Sequence, residues 1–180
     1  HNVFSEKGDS KEIESNSCSQ LNRTIAENTI TELFGDKVMA DHIKSSNFLN
    51  VSVSFGKKNW FSEQISLQFG SKTVDLDAAL LSEKENLMIT LFPPAVKPKN
   101  QFGMDEKTVD SIQKLIQEKN VLLYLFGNPY VLDILKLKPE SNVVLVYQDF
   151  EEFQKVAFDH FSGKSKAKGQ LPIQLKTFRP

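Results

Sequence analysis

The apolar positions of this chain change period as they run, and those changes predict its elements. Leu21, Ile25, Thr29 and Leu33 recur at helical spacing, while Ile30, Thr31 and Phe34 in the same stretch favour a strand. Gly35-Asp36-Lys37 closes that element. Within 47–56, Val51 to Phe55 alternates apolar residues with serine, the period of a half-buried strand. Trp60 to Phe69 reads as helix or as extended chain. Lys72 to Leu76 is a short strand, and Asp77 is placed to cap a turn of helix through Leu81. Leu87 to Phe92 is a buried strand stopped by Pro93-Pro94, and 93–103 forms a Pro, Lys, Asn and Gly loop.

From Met104 the period becomes helical. Val109, Ile112, Leu115 and Ile116 share one face, opposite Asp105, Glu106, Asp110, Lys114, Gln117 and Lys119. Val121 to Phe126 is the next strand, Tyr130 to Leu137 a short helix ended by Pro139, and Val143 to Tyr147 another strand. Phe150, Phe153, Val156, Ala157 and Phe161 form the face of the last long helix, and Leu171 to Leu175 a final short strand. Apolar strands alternating with amphipathic helices, without two-residue hairpin signals, predict an α/β fold. Crossover connections would place helices on both faces of a mostly parallel sheet, a three-layer α/β/α sandwich of flavodoxin-like outline.

Composition narrows the function classes. Among 180 residues, 22 basic and 23 acidic side chains leave a net charge of -1. No strong nucleic-acid or membrane-surface field follows from that balance, and neither partner is expected. No apolar run is long enough to span a membrane. Cys18 is the sole cysteine, so no intrachain disulfide can form. Fourteen phenylalanines against one tryptophan suggest aromatic packing. Residues 1–18 are polar and serine-rich and read as a linker or excised connection, with a single domain over 19–180. His1 is an unusual first residue; the expectation is that the natural amino terminus, with any targeting segment, lies outside the chain.

Catalytic motifs are sparse. Gly163-Lys164-Ser165 has the ending of a phosphate loop, but Phe158 stands where the motif needs its first glycine. Lys164, Lys166 and Lys168 therefore read as a solvated connection. No G-x-G-x-x-G follows a strand, and no cofactor is expected. His1, His42 and His160 are isolated, so no metal site is expected; a helix-terminal contact suits His160. Asp75 with Asp77 and Glu151 with Glu152 are acid pairs that read as surface charge. Asp149 and Glu152 match a capping box on the last helix.

The strongest local signal is Phe126-Gly127-Asn128-Pro129-Tyr130, at the carboxyl end of a buried strand, where open α/β sheets bind ligands. Its mechanical reading is a turn: Gly127 permits it, Asn128 bonds nearby backbone, Pro129 fixes φ and Tyr130 starts the helix. The other reading is ligand contact.

Four segments in order carry a resemblance to a known family: Leu21 to Leu33, Leu122 to Leu132 with its F-G-N-P-Y turn, Val143 to Tyr147, and Phe161-Ser162-Gly163-Lys164 through Gly169-Gln170-Leu171-Pro172-Ile173. Together they resemble the second domain of family 3 glycoside hydrolases, over about Leu21 to Leu175, with 35–100 matching only in general order. The β-N-acetylhexosaminidase branch is the most similar. That resemblance implies a catalytic (β/α)8 barrel preceding this domain in the same polypeptide. The barrel would bind most of the sugar and supply a nucleophilic Asp and a His–Asp acid/base pair. The K-H-F-P-G-H-G-like motif of that pair does not occur here, so no catalytic residue is carried over. Asn128 and Tyr130 are the candidate cleft wall, and a periplasmic or extracellular location is implied. In the β-glucosidase branch the acid/base often comes from the second domain, which leaves an unrecognised Glu open. The rival reading is a free-standing flavodoxin-like ligand-binding or interaction module, using the loops at 127–130 and 93–103.

Overall fold

A computed structural model describes residues 6–176 and 178. The apolar runs become six strands: β1 (Thr31–Phe34), β2 (Leu49–Val53), β3 (Thr73–Val74), β4 (Asn86–Leu91), β5 (Asn120–Leu125) and β6 (Asn142–Leu145). They form one sheet in the order β1-β6-β5-β4-β2-β3. β1 is antiparallel to β6, and every other pair is parallel. Counted from β2, the parallel strands follow the flavodoxin-like order 2-1-3-4-5, with β1 added at the far edge.

Both faces of the central strands are apolar, as a sheet covered twice requires. Leu87, Ile89, Leu91, Leu123 and Leu125 face α4 (Leu76–Leu81) and α6 (Glu106–Glu118). Met88, Leu122, Tyr124, Phe126 and Val144 face the other layer, made of α1 (Glu6–Thr29), α2 (Lys37–Ser45), α3 (Trp60–Phe69) and α7 (Glu151–Phe161). Three layers result, with a separate apolar core on each side of the sheet.

Local chemistry decides several boundaries differently from the pattern. Gly35-Asp36-Lys37 ends β1 but also starts α2, because the Asp36 carboxylate accepts from Met39 N at 3.0 Å. That helix, buried through Ala40 and Ile43, is absent from the sequence reading. Trp60 to Phe69 is helical, capped by Asn59 and closed by Gly70 at φ 66°. The cap of α4 is Asp75, bonded to Ala78 N, and not Asp77, which pairs with Lys107 at 3.3 Å. The expected helix over 130–137 is a 3-10 segment, Pro129–Ile134. Asp149 is not the cap of α7; Phe150 holds that position without a side-chain bond.

The face expected on the first helix is also displaced. Leu21 and Ile25 are exposed, while Ala26 and Ile30 are buried. The small Ala26 lets α1 lie against α7, where Arg23 pairs with Asp159 at 3.0 Å and Ser19 donates to Glu152 at 2.7 Å. Residues 6–18 of the expected connection are helical, continuous with this element; residues 1–5 of it lie outside the described residues. The expected strand over 171–175 is not a strand. It crosses the sheet edge and buries Leu175 against the α6-side core, and Lys176 N donates to Asp133. Gly169 permits the crossing: its N–H donates to Ile30 O at 2.9 Å, and a Cβ there would overlap Thr29 O and Thr31 Oγ1.

Candidate functional site

The carboxyl ends of β2, β4, β5 and β6 lie side by side, and the loops after them carry most of the unusual geometry. Phe55 (φ 50°), Asn100 (φ 53°), Gln101 (φ 52°), Phe102 (φ 58°) and Tyr147 (φ 70°) are left-handed there; Lys136 is the remaining such non-glycine residue among those described. Each costs about 1 kcal/mol or more against an ordinary conformation, so the surroundings must hold it. At α5 (Lys99–Phe102), a left-handed turn, the holding contacts are visible. Phe102 is buried, Ala95 N donates to Phe102 O at 2.9 Å, and Gly103 N donates to Asn100 O at 2.8 Å.

Cross-links join these loops. Lys57, after β2, donates to Asp149 Oδ2, after β6, at 2.8 Å and to the Pro93 carbonyl, after β4, at 3.0 Å. This is the role of Asp149 that replaces the expected cap. Phe92 and Phe126 stack at 4.4 Å between centroids. The F-G-N-P-Y turn is built as its mechanical reading requires, with one change. Asn128 Oδ1 accepts from Tyr130 N at 2.9 Å, and its Nδ2 donates to Val96 O at 3.0 Å. Pro129 opens the 3-10 segment. Gly127, however, is required for space and not for a positive φ, since a Cβ would sit 3.1 Å from Pro93 Cδ. Of the two predicted cleft residues, Asn128 is thus occupied within the turn, while the Tyr130 ring stands partly exposed.

Exposed apolar groups gather on the same edge. Phe55, Val96, Tyr130 and Phe150 follow four neighbouring strands and account for four of the eleven exposed large hydrophobic side chains among the described residues. The nearby carboxylates are engaged with protein groups. Glu151 lies between Lys155 (2.9 Å) and Lys58 (3.4 Å), and the Lys155 hydrogen bond holds it below the usual carboxylate range. Asp105 caps α6, and its hydrogen bonds from Thr108 hold it low as well. A cleft of about 360 Å³ beside β2 contains Asp75, Asp77 and Asp105, each in the capping or ion-pair contact just given.

At the crossover point between β2 and β4, the amino end of α3 is where a doubly wound fold can hold an anion. Here protein side chains fill that place: Gln154 Oε1 accepts from Phe61 N at 3.1 Å and Asn59 Oδ1 from Ser62 N at 2.9 Å. Beneath lies a hydrogen-bonded polar patch of Asn50, Ser52, Asn59, Ser62 and Thr90. Among the described residues no group of His, Cys, Asp and Glu could hold a metal ion, and no helix is long and apolar enough to cross a membrane.

One network has no sequence signal. His160, expected at a helix-end contact, is buried, with Nδ1 2.9 Å from Tyr124 Oη and Nε2 2.7 Å from Glu32 Oε1. Burial pushes the imidazole below its ordinary value, and burial raises the Tyr124 hydroxyl well above its own. A neutral ring donating from Nε2 to Glu32 and accepting the Tyr124 proton at Nδ1 satisfies all three groups. The partners come from three elements far apart in sequence, so only the fold reveals them.

These features define a doubly wound α/β sandwich with a braced, partly apolar carboxyl edge. No protein-family model matches the chain, and no curated protein matches it. Solved structures do. A fungal multi-domain family 3 β-N-acetylglucosaminidase aligns with a TM-score of 0.70 at 13% identity, over 97% of this chain and 21% of its own. A family 3 β-N-acetylglucosaminidase from Paenibacillus sp. aligns with a TM-score of 0.61 at 13% identity, over 98% and 36%. A β-glucoside phosphorylase aligns with a TM-score of 0.63 at 16% identity, over 86% and 31%. The fold is that of a part of family 3 glycoside hydrolase chains, and this chain spans about a fifth to a third of the lengths of those structures.

Proposed function

We propose that this chain is the carboxy-terminal α/β sandwich domain of a family 3 glycoside hydrolase, of the β-N-acetylglucosaminidase type. It acts as a support for a catalytic barrel elsewhere in the same polypeptide. The observation that carries the reading is the coverage: nearly the whole chain superposes on a fraction of longer enzymes of that family. The ordered sequence segments around the F-G-N-P-Y turn agree with it. The carboxyl edge is the face offered to the barrel, with Tyr130 as cleft wall and Asn128 holding the turn beneath it. The engagement of the nearby carboxylates with lysines and helix ends supports a non-catalytic role.

The test is turnover of an aryl N-acetyl-β-glucosaminide by the 180-residue chain and by the longer polypeptide that contains it. Assays run with and without inorganic phosphate, because one structural neighbour is a phosphorylase. Turnover by the longer polypeptide alone is expected. Turnover by the short chain would overturn the support role. Failure of the longer one on both glucosaminides and glucosides would overturn the enzyme reading.

A further inference from the structure

We propose that His160 is an acid-released latch on the β1 edge of the sheet: the neutral ring fastens β1 and the segment after α7, and protonation of the ring lets both open. The latch follows from the hydrogen-bond accounting around a ring that is 3% exposed. In the neutral form each proton has one acceptor: the Tyr124 hydroxyl donates to Nδ1 and Nε2–H donates to Glu32. A proton added at Nδ1 makes both ring nitrogens donors. The Tyr124 oxygen must then accept, and its own proton turns toward Phe61 and Phe161, which offer no acceptor. Tyr124 is fully buried, and its hydroxyl has no second hydrogen-bond partner among the described residues. The chain of bonds therefore runs in one direction, and reversing it strands a buried donor.

The charges around the ring agree. Glu32 on β1 is the carboxylate that meets it, and α2 brings two ammonium groups, Lys37 and Lys44, over the Phe34 ring at 5.6 and 5.7 Å. Both oppose a further positive charge on the imidazole. On α1, Arg23 is paired with Glu27 and Asp159; α3 brings Phe61, its Glu63 being exposed; after α7, Lys164 lies over Phe158. What yields is set by attachment. β1 has one strand neighbour, β6, over four residue pairs. Residues 164–176 form no helix or strand, and Gly169 N–H ties them to Ile30 O, next to β1. Tyr124 belongs to β5, which is paired on both sides. Local opening begins at thinly attached parts. Departure of β1 takes Glu32 away and admits water to the ring, which then protonates as an ordinary histidine.

The experiment is amide hydrogen exchange of the chain, followed by NMR at about pH 7.5 and 5.5 and corrected for the intrinsic exchange rate. A ring that takes its proton only in the open form, at about 6.5, raises the opening equilibrium by up to about tenfold between those values. The amides of β1 and of Gly169 should exchange faster than those of β4 and β5 at both pH values, and their opening should rise at the lower one. In His160→Gln that rise should vanish. Ring nitrogen shifts of the native chain supply a readout that stands even where the variant does not fold. They should show the Nε2–H tautomer and a titration midpoint below about 6.5, the ordinary value. Exchange of β1 no faster than that of β4 and β5, opening that does not change with pH, an equal rise in His160→Gln, or a ring midpoint at or above the ordinary value would overturn the latch.

Discussion

At the scale of single residues, the buried Tyr124–His160–Glu32 chain makes the most specific forecast. Groups facing the imidazole are Tyr124 from β5, Glu32 from β1, and Lys37 and Lys44 from α2. His160 is held below its ordinary value, chiefly by burial, so the folded state takes up its proton less readily than the unfolded one. Stability from this group is then fully present above about pH 6.5 and is lost as pH falls through the folded value. Urea unfolding between pH 8 and 5, in native chain and His160→Gln, should show a shallower acid slope in the variant; parallel slopes would contradict this. Gly169 gives a second forecast. A side chain there meets Thr29 O and Thr31 Oγ1, so Gly169→Ala should destabilise by about 2 kcal/mol or more, in the range of overpacked sites. Neither role was legible in the sequence. A buried histidine and a surface one look alike, and a glycine needed for close approach looks like one needed for a turn.

At the scale of elements, period and punctuation carried most of the information. The alternation of apolar strands with 3.6-period faces from Leu87 onward is the observed β4-α6-β5-β6-α7 order. It failed where partners far away decide. Leu21 and Ile25 mark a face by spacing, yet α1 packs through Ala26 because α7 lies close. α2 has nine residues, and its apolar Val38, Met39, Ala40 and Ile43 make too short a run to set a helical period. Asp149 fitted a capping box, but Lys57, 92 residues away in sequence, takes its carboxylate. Caps that are observed should behave as such: Asp105→Ala is expected to lower stability by about 1 kcal/mol, read by urea unfolding. Asp149→Ala, whose ion pair is about one-third exposed, should cost no more than that in stability.

For the whole molecule, the doubly wound outline was legible because both-face burial leaves unbroken apolar strands. The antiparallel β1 was legible only as a strand, since its neighbour is set by the fold. The candidate site divides similarly. Its turn at 126–130 was readable, but the Lys57 brace, the left-handed turn at 99–102 and the exposed edge depend on four loops meeting. Replacing Phe55, Tyr130 and Phe150 together by serine should cost this chain about 1–3 kcal/mol, because each side chain is about half exposed. If this edge docks on a barrel, as proposed, the same change should lower the melting temperature and turnover of a longer polypeptide that contains the domain. An unaffected longer polypeptide would overturn this edge as the proposed docking face.

The place of β1 in the sheet also bears on the order of assembly. Thr31 pairs with Leu145 and Phe34 with Asn142, so among the described strands the first along the sequence finds its neighbour in the sixth. Until residue 145 has left the ribosome, β1 is an unpaired strand. Closing so long a loop is slow and exposes open edges meanwhile. The parallel strands β2 to β5 can associate earlier. Docking of β1 then follows association of the parallel strands, and nascent chains cut short before β6 should be the species that chaperones hold.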